Sequence, residues 1–169
     1  MKRVLGLSLV CVLLVLLIGC SAEAPRIGVV DVAKVIGESK GGKKANAMLD
    51  AFVKARQTVV NEKAEAIDKL KKALAKEPAA TKKAKEEELN KASVELQQLV
   101  ASSQAEVKSK AAELRNALIK EIRETVDSIG RDEKFLLILT SENAPYFQQT
   151  MDVTDKVIRK YDESNENSE

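Results

Sequence analysis

The sequence predicts a mainly α protein in which a long antiparallel helical hairpin, a coiled-coil arm, is attached to a small β body. Residues 43–129 contain no glycine and are rich in Ala, Leu, Glu and Lys, which are strong helix formers. One proline, Pro78, interrupts this segment, so we expect the chain to turn near residues 77–81. Apolar runs typical of strands occur before and after the segment. Two strands alone do not persist in water, so we expect them to join one small sheet at the base of the hairpin.

The second half of the hairpin carries the clearer apolar stripe. Apolar or small residues recur there at steps of three and four, which places them on one face of a helix with 3.6 residues per turn. The stripe consists of Leu89, Ala92, Leu96, Leu99, Ser103, Val107, Ala111, Leu114, Leu118, Ile122, Val126 and Ile129. Successive steps of four depart from a strict heptad, so we expect gentle or irregular supercoiling.

The first half of the hairpin carries a weaker stripe. Its members are Ala45, Leu49, Phe52, Val59 or Val60, Ile67, Leu70 and Leu74. Arg56 and Lys63 interrupt this face, and a charge is costly inside a closed seam, so we predict a loosely packed or partly solvated arm. The chain has only 3% aromatic and 32% charged residues. Helices of this composition gain burial by packing on a partner, which favours an oligomer.

Residues 26–42 are predicted to form the first part of the β body. The sequence I-G-V-V-D at residues 27–31 indicates a strand. Asp31 is placed to cap a short helix over Val32–Glu38. We expect Gly41 and Gly42 to interrupt the chain before the arm begins.

Residues 130–162 are predicted to complete the β body. Gly130 is expected to cap the second long helix, and the apolar run Phe135–Thr140 predicts a strand buried on both faces. After a turn, residues 146–148 are expected to form a returning edge strand. The sequence D-V-T-D at residues 152–155 then predicts a final helix with Val157, Ile158 and Tyr161 on one face. An acidic, disordered tail is expected at residues 163–169.

The N-terminal residues 1–19 have the pattern of a secretory signal peptide. Lys2 and Arg3 precede an apolar run that is too short for a comfortable membrane span. The sequence L-I-G-C ending at Cys20 resembles the bacterial lipobox, which implies a lipidated Cys20 followed by a short tether at residues 20–25. An uncleaved anchor helix is the alternative. In bacterial lipoproteins the residue after the cysteine can carry a signal for retention in the inner membrane, and Ser21 carries none. We therefore predict a periplasmic protein that is anchored by lipid, with the outer membrane favoured over the inner.

Catalytic machinery is not evident in the sequence. There is no histidine, Cys11 is lost with the signal, and Cys20 is lipidated, so no thiol remains for disulfides, metal or catalysis. The acidic residues lie on solvated helices. Residues 37–44 nearly match the phosphate-loop pattern G-x-x-x-x-G-K-[ST], but Lys44 occupies the hydroxyl position and a helical segment precedes the first glycine. We interpret them as a hinge, and predict no enzyme, cofactor, metal or nucleic-acid site.

Charge is distributed unevenly along the chain. Residues 40–125 hold 19 Lys and Arg against 13 Asp and Glu, whereas residues 126–169 hold 5 against 10. The arm is therefore basic and the body acidic, although the chain without its signal peptide is neutral. The densely charged run at residues 81–88 is typical of a solvated helix start.

The order of these features resembles the OmpH/Skp family of periplasmic chaperones. The resemblance rests on I-G-V-V-D-V-A-K-V, a Gly-Lys pair at the foot of a long hairpin, and L-L-I-L-T, A-P-Y-F and M-D-V-T-D-K-V-I near the end. It covers roughly residues 26–162. The family implies a trimer in which strands of three chains form the β body, while three hairpins enclose a cavity that holds unfolded outer-membrane proteins without ATP.

The resemblance implies functional roles for two groups of residues. Strand residues that would form the trimer core are Ile27, Val29, Leu137 and Leu139. Basic arm residues that would attract acidic unfolded clients are Lys69, Lys71, Lys72, Lys82, Lys83 and Lys85. Typical members are soluble and strongly basic, whereas this chain has a lipobox and a neutral mature sequence.

Three function classes follow from the sequence. The first is a holdase chaperone for unfolded outer-membrane or envelope proteins. The alternative is a structural or scaffolding coiled-coil lipoprotein of the envelope, and the third is a binder of anionic lipid or polysaccharide. Strands at both ends of the arm favour the chaperone, because a plain coiled coil needs no sheet.

Overall fold

The computed structural model describes residues 25–76 and 78–166. It confirms a mainly helical chain with a long hairpin and a small sheet. The elements are β1 (Arg26–Val30), α1 (Val32–Glu38), α2 (Lys40–Leu74), α3 (Ala79–Asp132), β2 (Phe135–Thr140) and α4 (Thr154–Glu166), with 3₁₀ turns at Ser141–Asn143 and Gln149–Met151. At a rise of 1.5 Å per residue, the 54 residues of α3 extend for about 80 Å and the 35 of α2 for about 53 Å.

The two strands pair in parallel, because the whole hairpin lies between them in the chain. Ile27 is opposite Leu137 and Val29 is opposite Leu139. Val30 belongs to the core and Ile138 packs on it. Side chains alternate between the two faces of a strand, so the four residues of these two pairs point to the opposite face of the sheet. A register irregularity between Arg26 and Ile27 leaves Leu136 without an opposite residue on β1.

The predicted edge strand at residues 146–148 is wrong. This segment is irregular, and the chain reaches the sheet only at Asp152, which forms an isolated parallel bridge with Val29. The Val153 N–H donates to the Val29 carbonyl at 2.9 Å on that edge of β1. Among the described residues, the outer edge of β2 has no strand beside it.

The interruption before the arm lies at Ser39, not at Gly41 and Gly42 as predicted, and the hinge predicted for residues 37–44 stays a prediction. Ser39 ends α1 and caps α2, since its hydroxyl accepts the Gly42 N–H at 3.1 Å, and both glycines lie in the first turn of α2. A Cβ added at Gly42 would lie 1.7 Å from the Ile36 carbonyl oxygen. Glycine is therefore needed for the close approach of α1 to α2.

Gly130 does not cap the second long helix as predicted. Helix α3 continues through it to Asp132, and Glu133 is the C-cap. Ile129 is buried in the core, and the Glu133 carbonyl accepts a hydrogen bond from Arg26 at 2.9 Å. These tertiary contacts outweigh the preference of about 1 kcal/mol against a helical glycine. Lys134 supplies the left-handed conformation, with φ of 55°.

The core lies at the base of the hairpin, where both strands and all four helices meet. Its buried members are Val30, Val35, Ala45, Leu118, Ile122, Ile129, Val153, Val157 and Tyr161. Asp31 caps α1 as predicted, accepting the Lys34 N–H at 2.9 Å. The final helix is also confirmed, with Val157 and Tyr161 buried and Ile158 packed on the core. It extends to Glu166, so residues 163–166 are helical rather than part of a tail, and residues 167–169 lie outside the described chain.

Candidate binding surfaces of the arm and the sheet

The two charges that interrupt the arm stripe are paired across the hairpin. Arg56 Nη2 lies 2.8 Å from Glu106 Oε2, and Lys63 Nζ lies 2.7 Å from Glu95 Oε2. The hydrogen bond from Lys63 holds the pKa of the Glu95 carboxyl below its usual value. All four side chains are partly exposed, so these pairs set the register of α2 against α3 more than they add stability.

The middle of the arm is thinly packed, as the interrupted stripe predicts. A cleft of about 440 Å³ opens between the two helices there. Its lining includes Val53, Val60, Val100, Ser103 and Val107. Of the two candidates for the stripe, Val60 lies in this seam and is half-buried, whereas Val59 is exposed. Small and β-branched side chains leave a narrow core, so the arm has few contacts that brace it.

Large apolar side chains are exposed along the arm. Met48 is 51% exposed, and Val53, Val59 and Val94 are between 40% and 46% exposed. They lie on both helices and at different distances from the body. A soluble helix usually places such residues in its seam. Their spread offers several weak apolar contacts to a flexible partner rather than one deep pocket.

The six predicted client-steering lysines lie together at the tip of the arm. Lys69, Lys71 and Lys72 occupy the last two turns of α2, and the other three, Lys82, Lys83 and Lys85, occupy the first two turns of α3. Lys72 forms an ion pair with Asp68 at 2.6 Å, and Lys85 lies 3.8 Å from Glu88. The other four make no ion pair with the described residues and are exposed. The tip thus presents unpaired positive charge.

The four predicted trimer-core residues share one face of the sheet, the face that points away from the hydrophobic core at the base of the hairpin. Val29 is only 2% exposed, so its own chain already covers it, and Ile27 and Leu139 are half-buried. Leu137 is 47% exposed. One chain by itself therefore does not bury β2 on both faces, and the predicted burial needs strands from other copies. Ile138 faces the core, while the other face and the outer edge of β2 remain open.

A buried tyrosine fixes the base of the arm to α4, which the sequence analysis missed. The Tyr161 hydroxyl donates to Glu121 Oε2 at 2.5 Å. Burial, reinforced by the Glu121 carboxylate, raises the pKa of Tyr161 to about 12. A Cβ on Gly41 would lie 2.6 Å from the Tyr161 hydroxyl oxygen, so this glycine makes room for the ring. The one signal in the sequence is a tyrosine on the apolar face of a helix, since a buried hydroxyl needs a partner.

The described residues contain no cluster of three or more His, Cys, Asp or Glu side chains that could hold a metal ion. No helix within residues 25–76 and 78–166 has both the length and the apolar character of a membrane span. The signal peptide, Cys20 and residues 21–24 lie outside the described chain, so their assignments stay predictions.

Comparisons with known proteins identify a family, a relative and a solved structure of similar fold. A family model described as outer membrane protein, OmpH-like, matches residues 26–161. An uncharacterized protein of Aquifex aeolicus is 29% identical over 140 residues, which cover 79% of this chain and 83% of that protein. The crystal structure of a protein described as an OmpH-like outer membrane chaperone from Caulobacter crescentus CB15 has a TM-score of 0.78. It is 18% identical, over 85% of this chain and 88% of that one, and shows the same fold.

Proposed function

Because the chain belongs to the OmpH-like family, whose members are periplasmic or envelope chaperones, we propose that it is an ATP-independent holdase. Its clients are unfolded outer-membrane or other envelope proteins, which it binds between helical arms. The proposal involves no catalysis and no cofactor. Binding and release depend only on weak contacts between the arms and a client that has not yet folded.

The observation that carries this proposal is the exposed apolar side chains on a long, thinly packed arm. An unfolded β-barrel precursor exposes apolar residues at intervals along an extended chain. Several weak contacts spaced along one surface act together, because each contact raises the effective concentration of the next. Such contacts extend from the base of the hairpin to the level of the Lys63–Glu95 ion pair, and they are supplied by Met48, Val53, Val59 and Val94.

We further propose that the active form is a trimer joined through its sheets. The described part of one chain forms two paired strands, with an open outer edge on β2 and an exposed Leu137. Two strands are too few for a stable sheet, and an open edge attracts further strands. Three copies would cover the part of this face that one chain leaves open, at Ile27, Leu137 and Leu139, and their arms would then enclose a common cavity.

In this proposal the protein acts in the periplasm and is anchored by lipid on Cys20. The outer membrane is favoured over the inner membrane as the site of the anchor. Replacing Cys20 with Ser is expected to abolish labelling with a fatty-acid probe in cells. Unchanged labelling of the C20S variant would contradict the anchor. One acyl chain holds a protein only marginally, so two or three chains are expected on the mature N-terminus.

The central experiment is suppression of aggregation by the mature chain carrying Cys20→Ser. A denatured β-barrel protein is diluted into buffer, and light scattering is followed with and without this chain. A variant with Met48, Val53, Val59 and Val94 changed to Gln is expected to lose most of the suppression. A matched control changes four exposed polar residues of the same helices to Ala, namely Asn46, Gln97, Gln98 and Asn116, and is expected to retain it. No suppression by the parent chain would favour the scaffolding lipoprotein instead.

A second experiment tests whether the basic tip steers clients to the arm. Changing Lys69, Lys71, Lys82 and Lys83 to Glu is expected to lower the association rate, as measured by stopped-flow fluorescence of a labelled client. Salt should imitate the change, because charges are screened beyond about 10 Å at 0.1 M ionic strength. The matched control makes the same reversal at Lys54, Lys91, Lys108 and Lys120, which are exposed but lie away from the tip. Equal effects of the two variants would show that total charge, not the tip, matters.

A further inference from the structure

The chain enters the body at the end farthest from the tip of the arm. Helix α3 runs from the tip into the body and ends at Asp132. Strand β2 then returns along α3, with Ile138 beside Gly130 and Thr140 lining the same groove as Ile119. Because β1 is parallel to β2, Arg26 and Phe135 start the two strands at the same end. We name this end, formed by Arg26, Arg131, Lys134, Phe135 and Leu136, the far end of the body.

The far end combines exposed apolar and basic side chains. Leu136 has no partner in the register and is 71% exposed, and among the large apolar residues that the structure describes only Tyr146 is more exposed. Arg131 and Lys134 are exposed and make no ion pair with the described residues. A cleft of about 600 Å³ lies among them, and its lining also includes Asp127.

The ion pairs of this end leave it positively charged. Glu133 pairs with both Lys156 at 2.6 Å and Arg26 at 3.4 Å, and Asp132 pairs with Lys160. When Asp127, Arg131 and Lys134 are added to these ion-paired residues, the far end holds five cationic side chains and three carboxylates. Residues 126–169 are acidic as a whole, yet four of their five basic residues are at this end. The surface is therefore complementary to anionic headgroups.

The length of the tether limits how far this end can be from a membrane. Five residues, 21–25, separate Cys20 from β1, and an extended chain of that length reaches about 17 Å. An anchor on Cys20 would thus hold the far end within the depth of a headgroup layer or two, whatever conformation the tether adopts.

We propose that the far end of the body is a membrane-docking surface for a bilayer with anionic phospholipids. Leu136 enters the interface, Arg131 and Lys134 contact headgroups, and the arms point away from the membrane, where clients approach. This orientation rests on the lipid anchor of the proposed function. The contact surface itself is a property of the described residues and can be tested without the anchor.

The first experiment measures orientation in the lipidated protein on vesicles of phosphatidylglycerol and phosphatidylcholine. Once Cys20 carries lipid, no free thiol remains, so a single cysteine can be introduced and labelled with an environment-sensitive fluorophore. Leu136→Cys is expected to give a blue-shifted emission that nitroxide-labelled lipids quench. The matched position is Ala80→Cys at the exposed tip, which is expected to stay unquenched. Quenching at residue 80 but not at residue 136 would overturn the orientation.

The second experiment tests the surface in the mature chain carrying Cys20→Ser. Arg131→Gln with Lys134→Gln is expected to weaken binding to the same vesicles by about 30-fold, at about 1 kcal/mol per cation near an anionic surface. The control, Lys82→Gln with Lys83→Gln, removes two unpaired tip cations and should bind within about two-fold of the parent. Equal losses in the two variants would overturn the proposal.

The remaining outcomes separate this proposal from the holdase. R131Q with K134Q should suppress client aggregation as well as the parent, since neither residue is on the arm. Loss of suppression in the parent refutes the chaperone but leaves the vesicle result standing. If a second copy of the chain covers Leu136 instead, Leu136→Glu will reduce the mass of the oligomer and residue 136 will stay unquenched, which overturns membrane docking.

Discussion

At the corner between α1 and α2, two glycines that lie five residues apart are expected to have opposite effects on stability when each is replaced by alanine. A Cβ at Gly42 would be 1.7 Å from the Ile36 carbonyl oxygen, whereas a Cβ at Gly37 would meet nothing within 4 Å. Gly42→Ala can be accommodated only if α1 moves away from the first turn of α2. Gly37→Ala needs no movement and replaces the poorest helix former, apart from proline, with the best.

The expected magnitudes follow from these contacts. Overpacking against backbone costs about 1–3 kcal/mol, and displacement of the corner also weakens the Ser39 cap on Gly42, which is worth about 1 kcal/mol. We therefore expect Gly42→Ala to lower the free energy of unfolding by about 2–4 kcal/mol. Gly37→Ala should raise it by roughly 0.5–1 kcal/mol. For a chain of this size, these changes correspond to a fall in Tm of about 5–15 °C and a rise of about 2–3 °C.

Urea and thermal denaturation, followed by circular dichroism, measure both changes. Protein concentration must be the same for all variants, because association shifts apparent stability. Gly41→Ala provides an intermediate case, since its Cβ would meet the Tyr161 side chain, which has more freedom to shift than backbone. If Gly42→Ala proved as stable as Gly37→Ala, the close approach of α1 and α2 would be refuted.

The other predictions concern the sheet, the seam and the buried tyrosine. Leu137→Asp puts a carboxylate on the proposed oligomer face and is expected to give monomers or aggregates in sedimentation, whereas a surviving trimer would place the interface in the arms. Arg56→Glu opposes two carboxylates across the seam and should cost less than about 1 kcal/mol; adding Glu106→Arg should restore it in a double-mutant cycle, and an absent coupling would reject the pair. Because the pKa of Tyr161 is raised to about 12 from about 10 in an unfolded chain, the stability from its protonated form is complete below pH 10 and is lost as pH rises toward 12. The stability difference between the parent and Tyr161→Phe should then shrink by roughly 2 kcal/mol, and no change would show that the hydroxyl is not buried in solution.

Local sequence determined the elements of this protein. Residues 43–129 form a helical hairpin with its turn at Pro78 because helix propensity and an apolar stripe agree over many turns. Asp31 caps α1, Phe135–Thr140 is a strand, and D-V-T-D starts the final helix, since each depends on neighbours within a few residues. The positions of the tip lysines and of the exposed strand face follow from these elements.

Tertiary structure alone decided where the elements end and what they contact. Gly42 and Gly130 are glycines that local rules place at breaks, yet both are helical, because contacts with Ile36 at one corner and burial of Ile129 at the other favour continuation. The bond between Tyr161 and Glu121 joins residues 40 positions apart, and the crossing of Arg56 to Glu106 joins residues 50 apart. Such pairings depend on the register in which two long helices pack against each other, and no local sequence pattern encodes that register. The same holds for the open edge of β2, because no strand within residues 25–76 and 78–166 pairs with it.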